Sequence, residues 1–232
     1  MKSLSKHYHK MRKKYPDEKI MLVFDIDDTI VDISIPLLYV LKKYDYINRT
    51  AHFRGMTQKD MVFEEWHIQD WLPDIIRDTA EQEKIVQFVR ANMWLEDTIL
   101  MSHRPFQGVL EIIRWFQIQA NTYVGLNTGR SDSLRKITLD SLNLLGSKFR
   151  VSFSSDILYM NPMEDKVEED IRSYKSRGLL YFQKKGYKVI SFADNEPANL
   201  KVIDDVLLDP EIRLLHADTS LDPPGAYLPS RQ

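Results

Sequence analysis

The sequence predicts an α/β protein: a parallel sheet with helices on both faces, interrupted by one small helical insert. Three observations carry that prediction. Short apolar runs of strand length recur at residues 20–24, 122–126, 149–153, 189–193 and 212–215. Helix-like patterns separate most of them, and such alternation marks a parallel sheet covered on both sides. One stretch, residues 34–103, breaks the alternation and holds no convincing strand.

The elements follow in chain order. The first 14 residues are basic and contain no apolar core of signal-peptide type. They read as a solvated or loosely helical arm rather than a secretory signal. Ile20-Met-Leu-Val-Phe24 is apolar without alternation, as in a strand buried on both faces. It runs straight into Asp25-Ile-Asp27-Asp28-Thr29-Ile-Val-Asp32. In open α/β sheets the carboxyl end of a strand is where ligands bind. Carboxylates packed there repel each other unless a cation sits among them. The cluster therefore predicts a metal site and a carboxylate able to act as a nucleophile. Asp-rich turns also form because Asp bonds its own backbone, so the rest of the chain must decide.

The insert shows helix-like patterns at 35–43, 58–66 and 72–93. A right-handed crossover between adjacent strands needs one helix. The excess reads as a cap leaving the sheet after the carboxylate cluster, placed as a lid over the site. Phe53, Phe63, Trp66, Trp71, Phe88 and Trp94 are expected to form its core. The boundaries are 1–33 and 104–232 for the sheet domain and 34–103 for the cap.

Beyond the insert, a helix over 109–116 precedes the second strand, and a helix over 132–145 follows it. Between them stands Asn127-Thr128-Gly129-Arg130. Thr128 and the neighbouring N–H groups can face an anion at the sheet's carboxyl end. Gly129 permits close backbone approach. A plain turn with a helix cap is the alternative for this tetrad. A helix over 178–185 leads to the fourth strand, which ends in Asp194-Asn195-Glu196-Pro197, and Pro197 suits the first turn of a helix over 197–207. If the first and fourth strands are neighbours, Asp25 and Asp194 can reach one ion. Mg²⁺ suits a site of carboxylates, waters and phosphate oxygens. The six histidines (His7, His9, His52, His67, His103, His216) are scattered without zinc-ligand spacing and read as structural or surface residues. Lys175 is read at the start of the helix before the fourth strand, where it can screen carboxylates and hold a phosphoryl oxygen. Lys166 is the fallback. The tail after Asp218, with Pro223-Pro224-Gly225, reads as irregular.

Composition narrows the function. The 232 residues include no cysteine, which excludes disulfides and thiolate chemistry. A net charge of −2 gives no global reason to expect nucleic acid or an anionic membrane. No apolar run is long enough to span a bilayer, and the cytoplasm is the default location.

Taken in order, Asp25-x-Asp27-x-Thr29, Thr128, Lys175 and Asp194 resemble the four motifs of the haloacid dehalogenase superfamily of hydrolases. The resemblance spans about residues 20–200. It implies a Rossmann-like sheet with the first strand central, a C1-type cap at 34–103, and no second cap. It implies a Mg²⁺-dependent phosphatase. In that scheme Asp25 attacks phosphorus and forms an aspartyl-phosphate. Asp27 keeps a proton for the leaving group, then activates water. The metal is held by Asp25, Asp194 and the backbone carbonyl of Asp27. Thr128 and Lys175 bind phosphoryl oxygens, with Gly129 beside them, and Arg130 either touches substrate or starts the following helix. Dehalogenase members lack an acid at the position of Asp27, because halide needs no proton. Two positions depart from the pattern. Asp28 stands where many relatives carry Gly, and Asn195 stands where many carry a second Asp, leaving Asn195 or Glu196 to support the metal's ligands. The expected substrate is a small soluble phosphate monoester. The alternatives are phosphoryl transfer, as in the superfamily's mutases, and a catalytically silent domain that binds phosphate ligands. Nucleic-acid end processing is disfavoured by the charge balance.

Overall fold

Five parallel strands form one sheet in the order β3-β2-β1-β4-β5. They are β1 (Lys19–Phe24), β2 (Thr122–Ser131), β3 (Leu158–Asn161), β4 (Tyr187–Asp194) and β5 (Arg213–His216). The helices are α1 (Lys2–Lys14), α2 (Ser34–Asn48), α3 (Ile68–Trp71), α4 (Thr79–Asn92), α5 (Glu96–Ser102), α6 (Val109–Gln117), α7 (Arg135–Ser147), α8 (Glu168–Lys184) and α9 (Pro197–Leu207). This computed structural model describes residues 2–61, 68–162, 168–207 and 209–218. The described residues fall into two compact units, 2–32 with 104–218, and 33–103.

The sheet belongs to the first unit. β1 is central, paired with β2 on one side and β4 on the other, and Ile20 to Val23 are wholly buried. That is why its sequence shows no polar alternation. Met21 and Val23 pack with Leu179 and Phe182 of α8, Val189 and Phe192 of β4, and Ile203 of α9. After β1 the chain turns tightly. The N–H groups of Ile30 and Val31 donate to the carbonyl of Ile26 at 2.8 and 2.9 Å, and that of Asp28 donates to Val31 at 2.8 Å. The unit then closes on itself: the Asp32 N–H donates to the Arg104 carbonyl at 3.0 Å, and that of Phe106 to Ile30 at 3.0 Å.

Four elements of this unit differ from the sequence expectation. The third strand is not 149–153. Arg150 sits at φ 56°, and the N–H groups of Phe149 and Val151 close the end of α7 by donating to Gly146. Val151 and Phe153 are buried as plugs, with the Phe153 backbone held by the Asn143 side chain at 2.7 and 3.0 Å. The strand forms later, at Leu158–Asn161. β2 continues to Ser131, so Asn127 to Arg130 lie in the strand and not in a turn after it. α8 begins by Glu168, which places Lys175 in its interior rather than at its start. The N-terminal arm is a packed helix. Leu4, Tyr8 and Met11 are buried at helical spacing. The Tyr8 hydroxyl meets Thr122 Oγ1 at 2.9 Å, and His7 Nε2 meets the carbonyls of Ile190 and Glu211 at 3.0 and 3.1 Å. The Arg12 guanidinium donates to the carbonyls of Tyr15, Pro16, Glu18, Ala120 and Asn121.

The second unit is helical. The expected helix over 72–93 is broken: Pro73 lies in a short turn of 3₁₀-helix, and the Asp78 carboxylate caps α4 by accepting from the Ala80 N–H at 2.9 Å. The Asp45 carboxylate folds the chain back after α2, accepting from the Thr50 hydroxyl and the N–H groups of His52 and Phe53 at 2.7–3.0 Å. Phe53 is fully buried and stacks on Trp71. Phe88 meets Tyr44 edge-on, and Trp94 is half-buried. Phe63, Trp66, His67, Lys166 and the tail beyond Asp218 lie outside the described residues. Among the described residues no helix is long and apolar enough to cross a membrane.

Candidate active site

Asp25 and Asp194 are neighbours because β1 and β4 are neighbours in register, Phe24 opposite Ala193. The Asp25 N–H donates to the Ala193 carbonyl at 2.8 Å. Asp25 is 5% exposed and Asp194 fully buried. Lys175 comes down from α8 between them. Its ammonium lies 2.5 Å from Asp25 Oδ1 and 2.9 Å from Asp194 Oδ2, and it donates to the Asn127 carbonyl at 3.2 Å. Asp194 Oδ1 accepts from the Glu196 N–H at 2.9 Å and from Asn199 Nδ2 at 3.1 Å. Asn199, in the first turn of α9, was not singled out from the sequence. Its position just inside the helix that follows an acidic strand end was the available signal. Asn195 contributes its carbonyl to His216 Nε2, and Glu196 its backbone N–H to Asp194.

Burial pushes the Asp25 carboxyl well above the usual carboxylate range. The Lys175 charge pulls it back, and the negative charges of Asp194 and Asp27 add to the rise. Burial also disfavours the charged form of Lys175, but Asp194 and Asp25 together outweigh that and raise it, so the group is an ammonium. Two carboxylates against one ammonium leave a negative charge uncompensated. Among the described residues the Lys175 ammonium, at 2.9 Å, is the polar group that faces the buried Asp194 Oδ2. Among the described residues nothing bonds Asp25 Oδ2. An oxygen-only donor set with excess negative charge fits a hard divalent cation such as Mg²⁺. Among the described residues no three Asp, Glu or His side chains are spaced to hold a metal. The carboxylates toward an ion would be Asp25 and Asp194, since the Asp27 side chain is engaged elsewhere.

That engagement is with Arg130, which is 1% exposed. Its Nη2 donates to Asp27 Oδ1 at 2.6 Å and its Nε to Oδ2 at 2.9 Å, while Nη1 reaches Thr138 Oγ1 at 3.2 Å. The structure thus places Arg130 around Asp27. Asp27 keeps 20% of its side chain exposed. An arginine fork of this kind holds both oxygens of the Asp27 carboxylate and fixes its rotamer. Asp28 takes φ 50° at the turn. Asp enters this left-handed region more readily than most residues, which is how it can stand where a glycine would serve. Thr128 is fully buried, and its Oγ1 accepts from the Arg130 N–H at 3.2 Å. Gly129 is half-buried beside it in the strand.

No protein-family model matches the sequence, and no curated protein matches it. Solved structures do match. A haloacid dehalogenase-like family hydrolase from Streptococcus pneumoniae is 13% identical with a TM-score of 0.53, over 85% of this chain and 84% of that one. A HAD-superfamily hydrolase of subfamily IA from Geobacter sulfurreducens is 13% identical with a TM-score of 0.51, over 87% and 94%. A provisionally described phosphatase from Clostridium difficile is 10% identical with a TM-score of 0.54, over 83% and 84%. The fold is that of the haloacid dehalogenase-like hydrolases.

Proposed function

We propose that this protein is a Mg²⁺-dependent phosphatase acting on small phosphate monoesters through a phosphorylated Asp25. The observation that carries the reading is the meeting of Asp25 and Asp194, from adjacent strands, on the buried ammonium of Lys175. The hydrolase and phosphatase descriptions of proteins sharing the fold support it.

In this reading an Asp25 oxygen attacks phosphorus as the bond to the ester oxygen breaks. Asp27, carrying a proton, gives it to the departing alkoxide. Water then attacks the aspartyl-phosphate, Asp27 accepts its proton, and inorganic phosphate leaves with Asp25 restored. Arg130 fixes the Asp27 rotamer by holding both of its carboxylate oxygens. Lys175 holds Asp25 and balances charge. Thr128 and the Gly129 backbone face the phosphoryl oxygens. Asp25, Asp194 and the Asp27 carbonyl would hold Mg²⁺, which when bound supplies charge neutralisation at those oxygens. Positioning and charge carry most of such a reaction.

The test is phosphate release from an aryl phosphate with Mg²⁺ and with EDTA, for the wild type and Asp25→Asn. Release that needs the metal and vanishes in the variant is expected. Equal release from both proteins would overturn the reading.

A further inference from the structure

We propose that Asn127 is a positioning residue for Lys175, and that Gly178 is the gap it works through. The kinetic part of this proposal rests on the phosphatase reading; the structural part does not.

Asn127 lies on β2 and is fully buried. Its Nδ2 donates to the Lys175 carbonyl at 2.7 Å, and its own carbonyl accepts from the Lys175 ammonium at 3.2 Å. One residue therefore grips the lysine at both ends, main chain and charge. The Lys175 carbonyl sits in the interior of α8. There the helical ladder uses one lone pair for the N–H four residues on, and the second is open to a side-chain donor.

Gly178 makes this approach possible. It lies three residues further along α8, on the same face. A Cβ there would stand 2.5 Å from Cγ, Nδ2 and Oδ1 of Asn127. Glycine inside a helix is disfavoured relative to alanine, and here it falls where the strand's amide presses on the helix. Asn127 itself is poorly satisfied. Its Oδ1 is buried and has no hydrogen-bond partner among the described residues, a state that costs stability. What the amide does supply is a fixed root for Lys175, whose stem is long and flexible. With the root pinned, the ammonium reaches both carboxylates at 2.5 and 2.9 Å.

The experiment uses the full chain with ¹⁵N-labelled lysine, the Lys175 ammonium resonance being assigned by its loss in Lys175→Met. The wild type should show a protected ammonium that exchanges slowly with water. In Asn127→Ala and in Gly178→Ala the resonance should shift or be lost to exchange. Gly178→Ala should also unfold at lower temperature, because its Cβ collides with the amide. The double variant Asn127→Ala/Gly178→Ala relieves that collision and should regain thermal stability, yet keep the displaced ammonium. On an aryl phosphate its kcat should stay down by about 10–100-fold with a smaller change in KM. An Asn127→Ala resonance coincident with the wild type, no protected ammonium in the wild type, or wild-type kcat in the double variant would each overturn the proposal. A wild type that releases no phosphate would sink the phosphatase reading, while the ammonium measurement still decides the role of Asn127.

Discussion

The two ends of the sheet are built on opposite terms. At the amino end, α1 lays His7, Tyr8 and Arg12 across the edge, and every one of them meets a backbone carbonyl or a hydroxyl. At the carboxyl end, Asp25 and Asp194 share one ammonium, and burial lifts Asp25 toward protonation. The first end holds groups that are satisfied except for Arg12 Nε, and it contributes stability. The second keeps charge in excess, a condition that favours binding a cation and an electrophile over folding. The same strands thus carry a clamp at one end and an electrostatically strained site at the other.

The sharpest way to separate the two is Asp25→Asn. Turnover should fall by roughly 10⁴-fold or more, as for other lost nucleophiles. The metal-free protein should unfold at the same temperature or a higher one, because Lys175 and Asp194 are then balanced. Calorimetry beside the aryl-phosphate assay reads both effects. Arg130→Met breaks the comparison from within, since the pair it removes belongs to the carboxyl end yet is balanced. Stability should drop by about 3 kcal/mol, as when a buried pair loses one partner. Turnover should drop by about 10²-fold as Asp27 loses its fixed rotamer. Urea unfolding and kcat measure the two.

At the amino end, Arg12→Ala should cost about 1–3 kcal/mol of stability and leave kcat unchanged; a matching loss of kcat would show that the two ends are coupled. The smallest effect concerns Glu211, beside α1. Its carboxyl bonds Lys14, Lys188 and the Tyr15 hydroxyl and is lowered from 4.5 to about 2. A carboxyl lowered in the folded state stabilises it above its unfolded value, and that contribution fades as pH falls through 4.5 toward 2. Glu211→Gln should flatten the pH dependence of stability over that acid window, a change of under about 1 kcal/mol for ion pairs this close to solvent.

The alternation of strands with helices is legible because it rests on short-range patterns. An unbroken apolar run, Ile20 to Phe24, permits little but a central strand, and acidic residues at two strand ends announce themselves. What could not be read depends on contacts distant in sequence. Arg130 reaches Asp27 across 103 positions, and no local spacing encodes that. Phe149 to Phe153 looks like a strand because Val151 and Phe153 are buried, yet their burial comes from closing α7 and not from a ladder. Lys175 reads as a helix start because the polar residues before it hide the first turns of α8. α1 differs from a loosely helical arm by its packing. Leu4, Tyr8 and Met11 repeat at helical intervals, and the surrounding lysines masked a stripe that is buried.

The bond between the Asp32 N–H and the Arg104 carbonyl has a consequence for how such a molecule diversifies. It is a clasp belonging to the core, and it brings together the two points between which residues 33–103 make their excursion. Loop closure grows only logarithmically with length, about 0.6 kcal/mol for each doubling, so what hangs from the clasp can lengthen, shorten or be exchanged at little thermodynamic expense. The sheet and its strand ends stay fixed, while the excursion is free to drift in length and sequence.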